Sequence, residues 1–212
     1  MRTERAYSLA SSPYEDALEV FVELVPNGHL TPSLFELRPG DSLLCRKTAK
    51  GRFTLDVGSG RSNHLLISTV TGIAPFVSYI RTLYRDWKNG GTPVPGNHKL
   101  FCLQGASRPF EFAYREELER YSTEVQWFKY VATVSRPWED SGWSGERGRV
   151  DELLRKYTDK WELPAETTTA YLCGHPRMIE NSRGTLVRAG WKKDAIFEEA
   201  YYQAATKEAG GA

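Results

Sequence analysis

The chain has 212 residues, 40% of them apolar, and its 28 lysines and arginines nearly balance 27 aspartates and glutamates. That length can bury one large core or two modest ones, and the charge balance gives no bulk electrostatic case for nucleic acid or a membrane surface. The first residues are polar and charged and no apolar run approaches the roughly 20 residues that span a bilayer, so the sequence reads as a soluble, cytoplasmic protein without membrane insertion.

In chain order, Arg5-Ala6-Tyr7-Ser8 reads as a strand with Arg5 and Tyr7 on one face and Ser8 on the other. Residues 18–25 alternate as a half-buried strand, bounded by turns at Pro26-Asn27-Gly28 and Pro39-Gly40-Asp41. A short helix is expected over 32–37, because Thr31 can cap its first amides and Pro32 suits the first helical position. This half is mostly β. The texture changes near 59–63, after which apolar runs alternate with amphipathic stretches. Strands are expected at 65–68, 99–104, 125–134, 170–173 and 195–199, with helices starting at Phe76 and covering 110–121, 150–157 and 177–189. Such alternation implies a parallel sheet with helices on both faces, whose ligand lies beyond the carboxyl ends of the strands where the strand order reverses. Surface loops are expected at 89–93 and 141–148, and a frayed tail at 203–212.

The turn Thr69-Val70-Thr71-Gly72, followed by Pro75, joins a buried strand to a helix start. Exposed amides and the positive end of the helix dipole can hold a pyrophosphate there, although spacing alone also allows an ordinary connection. A branched Val70 argues against positive backbone dihedrals at that position. Ser135, Arg136 and Arg149 follow later strands, where an arginine fork can grip a phosphate, with Arg147 as a further candidate; loop arginines are also ordinary solvated surface. Cys173-Gly174-His175-Pro176 ends another strand, and its glycine and proline allow a sharp turn. The three cysteines, Cys45, Cys102 and Cys173, are odd in number and far apart, against a disulfide scaffold, zinc or an iron-sulfur cluster.

In this order the Arg5, Thr69 and Cys173 segments, with the tail Glu199-Ala200-Tyr201-Tyr202, resemble the ferredoxin-NADP reductase family over nearly the whole chain. The resemblance implies an α/β plus β fold: an incomplete antiparallel FAD-binding β-barrel in residues 1–60, a parallel-sheet NADP-binding domain in 61–202, and a flexible tail in 203–212. It implies FAD and NADPH as cofactors and a ferredoxin or flavodoxin-like carrier as partner. Arg5 would pair with the flavin phosphate, Ala6 and Tyr7 would line the ring, and Ser8 would bond near flavin N5. Gly28, Leu30 and Thr31 would add an anion site at the short helix. Thr71, Gly72 and Pro75 would hold the pyrophosphate, with Ser135, Arg136 and Arg149 on the 2′-phosphate, which favours NADPH over NADH. Cys173, Gly174, Pro176 and Met178 would surround the nicotinamide, with Cys173 positioning the ring for hydride transfer. Glu199 would relay protons or stabilise charge beside Tyr201. Glu198 competes one residue away on the opposite pleat face.

Family members generally start several strands before the Arg-x-Tyr-Ser element, whereas Met1 lies four residues before Arg5, leaving about four barrel strands. An upstream start, a partner or second copy that completes the barrel, and weak or absent FAD binding all fit. The resemblance therefore leaves three functional readings: a stand-alone reductase, the reductase component of an oxygenase or electron-transfer complex, and a truncated nucleotide-binding subunit without flavin. Basic residues Arg2, Arg38, Arg46, Lys47, Lys50 and Arg52 would steer an acidic carrier or form an ordinary solvated face.

Overall fold

A computed structural model describes residues 4–91 and 97–201. The expected tail at 203–212, Tyr202, Arg2 and part of the 89–93 loop lie outside the described residues. Six parallel strands form one sheet: β1 (Asn63–Thr69), β2 (Lys99–Ala106), β3 (Phe128–Val134), β4 (Glu146–Arg147), β5 (Thr168–Gly174) and β6 (Ile196–Ala200). Their spatial order is β4-β3-β2-β1-β5-β6. The chain therefore leaves β1 in one direction and returns to its other side with β5, so the order reverses between these two central strands.

Alternation sends the side chains of the central strands into two separate cores. Leu66, Leu100, Cys102, Tyr171 and Cys173 join one cluster, whereas Leu65, Ile67, Phe101, Leu103, Ala170 and Leu172 join the other. Strands buried on both faces need near-continuous apolar runs, and Leu65-Leu66-Ile67 is one. Helix α2 (Ala74–Lys88) buries Phe76, Val77 and Ile80 completely in the first core, together with Leu118 and Tyr121 of α3 (Arg115–Glu124). Each such aliphatic or aromatic side chain contributes about 1.5–3 kcal/mol. On the other face lie α4 (Leu154–Lys160), with Leu154 and Tyr157, and α5 (Pro176–Arg188), with Met178, Ile179 and Leu186. Among the described residues no helix is long and apolar enough to cross a membrane.

Several boundaries differ from expectation. The helix expected over 110–121 divides into a 3₁₀ turn, Pro109–Glu111, and α3. The helix expected at 150–157 begins at Leu154, after residues 150–153 are spent on turns in which Glu152 and Leu153 donate to Arg149. The largest difference is at the start. Among the described residues before Asn63 there is one helix, α1 (Thr31–Glu36), and one isolated antiparallel bridge between Leu9 and Val20. Residues 5–8 and 18–25 run without a ladder, because an alternating segment forms a strand only where a neighbour takes its amides and carbonyls. The capping expectation is corrected too: Leu30 occupies the cap, and the Thr31 hydroxyl instead donates to the Val25 carbonyl (3.1 Å) and accepts its amide (2.9 Å).

Candidate functional site

The strand order reverses between β1 and β5, and a sheet of this kind takes its ligand beyond the carboxyl ends of those strands. After β1 the chain makes a 3₁₀ turn, Val70–Ile73, and enters α2 with Pro75 in its first turn. After β5 it turns at Gly174, whose φ of +128° is a conformation that side chains rarely adopt. The two turns are packed backbone to backbone. A Cβ on Gly72 would lie 2.2 Å from the Cys173 carbonyl oxygen, and one on Gly174 would lie 2.4 Å from the Thr69 hydroxyl. Thr69 Oγ1 accepts the His175 amide at 2.9 Å, closing the contact. His175 caps α5 through Nδ1, which accepts the Arg177 amide, and Pro176 follows in the first turn.

Val70 overturns one expectation. Its φ is +44° despite the branched side chain, so the turn adopts the left-handed geometry that glycine would take freely and valine takes under strain. The turn is also less open than expected, since Gly72, Ala74 and Pro75 are buried and Thr71 is half-buried.

Beside this double turn stands a polar chain built from both ends of the sequence. Tyr201 donates to Ser8 Oγ at 2.7 Å, and Ser8 donates to Glu199 Oε1 at 2.6 Å. β6 sets the spacing: Cys173 pairs with Glu199, and the Tyr201 amide bonds the Gly174 carbonyl. Pleat alternation turns Glu198 to the opposite face, where it meets Arg183 of α5 at 3.0 Å. Cys173 is completely buried, and burial pushes its thiol up to about 12 despite a hydrogen bond with Tyr201. Burial, with Cys173 nearby, likewise pushes the Tyr201 hydroxyl well up. Both groups are neutral at pH 7, so Cys173 offers a compact apolar contact rather than a thiolate.

At the carboxyl ends of β3 and β4 stand the basic residues. Ser135 and Arg136 donate their amides to Ala106 and Ser107, each at 3.0 Å, and Gly148 donates to Val134. Arg149 Nε faces the buried carboxylate of Asp151 at 3.3 Å, which Asn181 also bonds at 2.8 Å. Arg136 faces Glu139 at 3.5 Å, and Arg147 donates to the Trp143 carbonyl. The remaining sequence candidates differ in exposure and partners. Met178 turns into the core beneath α5, Arg5 and Ala6 are exposed, and Tyr7 is half-buried. Gly28 and Thr31 close their loop onto Val25.

Comparison with known proteins fits this geometry. The profile of the oxidoreductase NAD-binding domain matches residues 66–184. Ferredoxin-NADP reductase of Azotobacter vinelandii is 30% identical over 204 residues, covering 89% of this chain and 73% of that protein. The chain belongs to the ferredoxin-NADP reductase family. It is thus an NAD(P)H oxidoreductase of the ferredoxin-NADP reductase type. A solved ferredoxin-NADP reductase of Neisseria gonorrhoeae, with bound FAD and NADP, superposes with a TM-score of 0.77 at 25% identity, covering 92% of this chain and 79% of that one. The electron transfer component of the xylene/toluene monooxygenase of Pseudomonas putida is 25% identical, over 93% of this chain and 53% of that protein.

The carboxylates beside Arg149 and Arg136, Asp151 and Glu139, were not among the residues singled out from the sequence, and neither was Arg108. The available signal was a repeat: Ser107-Arg108-Pro109-Phe110-Glu111 and Ser135-Arg136-Pro137-Trp138-Glu139 follow adjacent parallel strands with the same pattern.

Proposed function

We propose that this chain transfers a hydride between NADPH and FAD and exchanges single electrons with a small ferredoxin or flavodoxin-like carrier. The observation that carries this reading is the Gly72 and Gly174 double turn, flanked by buried Cys173 and the Tyr201–Ser8–Glu199 chain. The residues fit both groups. Two glycines whose side-chain space is taken by the opposite turn keep the two turns in close contact, leaving no side chain at those positions to stand in the way of a nicotinamide, and the polar chain offers hydroxyl oxygens and a carboxylate to a flavin edge.

When bound, FAD supplies the two-electron to one-electron conversion, while the protein aligns and tunes it. Thr71, Gly72 and Pro75 seat the pyrophosphate, and Cys173, Gly174 and Pro176 hold the ring by shape. Cys173 acts by packing, since its thiol is neutral. Glu199 takes or returns a proton through Ser8 and Tyr201. Arg5, Ala6 and Tyr7 with Gly28, Leu30 and Thr31 face the flavin from residues 1–60, and Ser135, Arg136 and Arg149 grip the 2′-phosphate. In single-turnover kinetics Cys173→Ala should slow flavin reduction by roughly tenfold or more while leaving NADPH affinity within about threefold. An unchanged reduction rate would remove Cys173 from the reaction.

The similarity to the xylene/toluene monooxygenase component supports a second reading, in which the acceptor is an oxygenase partner. Electron delivery to purified carriers separates the two. A chain that binds nucleotide but no flavin would fit neither.

A further inference from the structure

The two Ser-Arg-Pro-aromatic-Glu turns share a sequence pattern but use their glutamates differently. In the first, Glu111 stays at home: its carboxylate accepts the Ser107 amide at 2.7 Å and the Arg108 amide at 3.3 Å, capping its own 3₁₀ turn. In the second, the corresponding amides of Ser135 and Arg136 already donate to the carbonyls of Ala106 and Ser107. Glu139 has nothing to cap. Its carboxylate instead reaches across to Arg108 Nε of the neighbouring turn, while also facing Arg136 at 3.5 Å. Two arginines from two strand ends thus converge on one internal carboxylate, with Arg108 Nη1 also facing Glu111 Oε1 at 3.5 Å. Flanking them are Phe110 and Trp138, 81% and 76% exposed, the aromatic members of the two turns. The cluster sits at the carboxyl ends of β2 and β3, the edge of the sheet that carries the β1 and β5 turns.

We propose that Glu139 is an internal occupant of the phosphate clamp, held by Arg108 and Arg136 until the 2′-phosphate of NADPH displaces it, and that it sets how strongly the chain distinguishes NADPH from NADH. The inference rests on the proposed function and deepens it. A carboxylate and a phosphate offer the same arginine forks similar acceptor oxygens, so both cannot fill one clamp. The ion pairs are partly exposed and individually weak, which lets a ligand open them. After displacement, the Glu139 charge still repels a dianionic phosphate nearby, whereas a nucleotide without that phosphate does not compete for the arginines.

The test uses the full chain and two fragments of the dinucleotide, 2′,5′-ADP and 5′-AMP, titrated by calorimetry, so neither flavin nor turnover is needed. Glu139→Gln should bind 2′,5′-ADP about five- to tenfold more tightly than the unsubstituted chain, with 5′-AMP unchanged. Arg108→Ala should weaken 2′,5′-ADP alone. A preference for 2′,5′-ADP that is the same in Glu139→Gln and the unsubstituted chain would overturn the inference and leave the arginine clamp standing. Equal binding of the two fragments by both proteins would overturn the inference together with the clamp.

Discussion

Val70 and Gly72 show two ways in which single residues shape the nicotinamide turn. Gly72 is required by packing, because its missing side chain makes room for the Cys173 carbonyl. Gly72→Ala should therefore separate the β1 and β5 turns, lowering stability by about 1–3 kcal/mol and slowing flavin reduction; an unchanged melting temperature and rate would contradict the close contact. Val70 is tolerated rather than required. Its left-handed φ of +44° costs roughly 1–2 kcal/mol in a residue with a Cβ, against about 0.5–1 kcal/mol of extra chain entropy that glycine would lose on folding. Val70→Gly should raise stability by about 0.5–1 kcal/mol, seen as a higher melting temperature, and a lower one would mean that the valine side chain makes compensating contacts. The glycines were legible as turn residues because turns have residue signatures, whereas Cys173 entered the site only through the family resemblance, since a cysteine at a strand end reads by itself as a small buried hydrophobe. The sign of the Val70 dihedral was not, since tertiary packing overrode the local preference of a branched residue.

Among the elements, the amino ends of the central strands carry a device remote from the turns at their carboxyl ends. His64 of β1 is fully buried, its Nδ1 3.1 Å from the Tyr171 hydroxyl of β5 and its Nε2 2.8 Å from His98 Nδ1. Tyr171 in turn accepts the Asp56 amide at 2.8 Å, so one chain of bonds ties two strands to the segment before the sheet. Burial lowers the His64 pKa to about 4, the His98 charge adding and Asp56 opposing. The unfolded chain, with an ordinary histidine near 6.5, binds this proton first. Stability should therefore fall as pH drops from about 6.5 to about 4, by about 3 kcal/mol in all, and level off below. Thermal melts across that range check this, and a matching acid slope in His64→Asn would assign the effect elsewhere. The sheet elements were legible because strands buried on both faces leave continuous apolar runs. Residues 18–25 carry an equally clear alternation yet form a single bridge at Val20, since periodicity reports which faces are apolar and not whether a neighbouring strand is present.

Across the whole molecule the two halves differ in how well they cover their apolar surface. The sheet and its helices bury two full cores, whereas residues 4–60 expose Leu18, Leu24, Phe35, Leu43 and Leu44, the last at 82%. What attaches that half is local. Phe21, Phe53 and Leu55 pack on the first core, and Arg81 of α2 bonds Glu117 of α3 at 2.8 Å while also holding Glu19 at 2.5 Å. Arg81→Ala would remove the cation these carboxylates share, leaving Glu19 with the Tyr114 hydroxyl and Glu117 with that of Tyr121, and it should loosen residues 4–60, read as faster amide exchange there than in the unsubstituted chain; unchanged exchange would contradict that role. If further chain covers Leu18, Leu24, Phe35, Leu43 and Leu44, FAD affinity should rise with protein concentration or with an added partner strand, and tight binding independent of concentration would contradict it. The central claim, a flavin-dependent reductase selective for NADPH, is tested most directly by the visible spectrum of the purified protein, as isolated and with added FAD, followed under anaerobic conditions by NADPH and, separately, by NADH. A bound-flavin spectrum that bleaches preferentially with NADPH is expected; a folded protein that retains no flavin, or one bleached equally by both nucleotides, would contradict that claim.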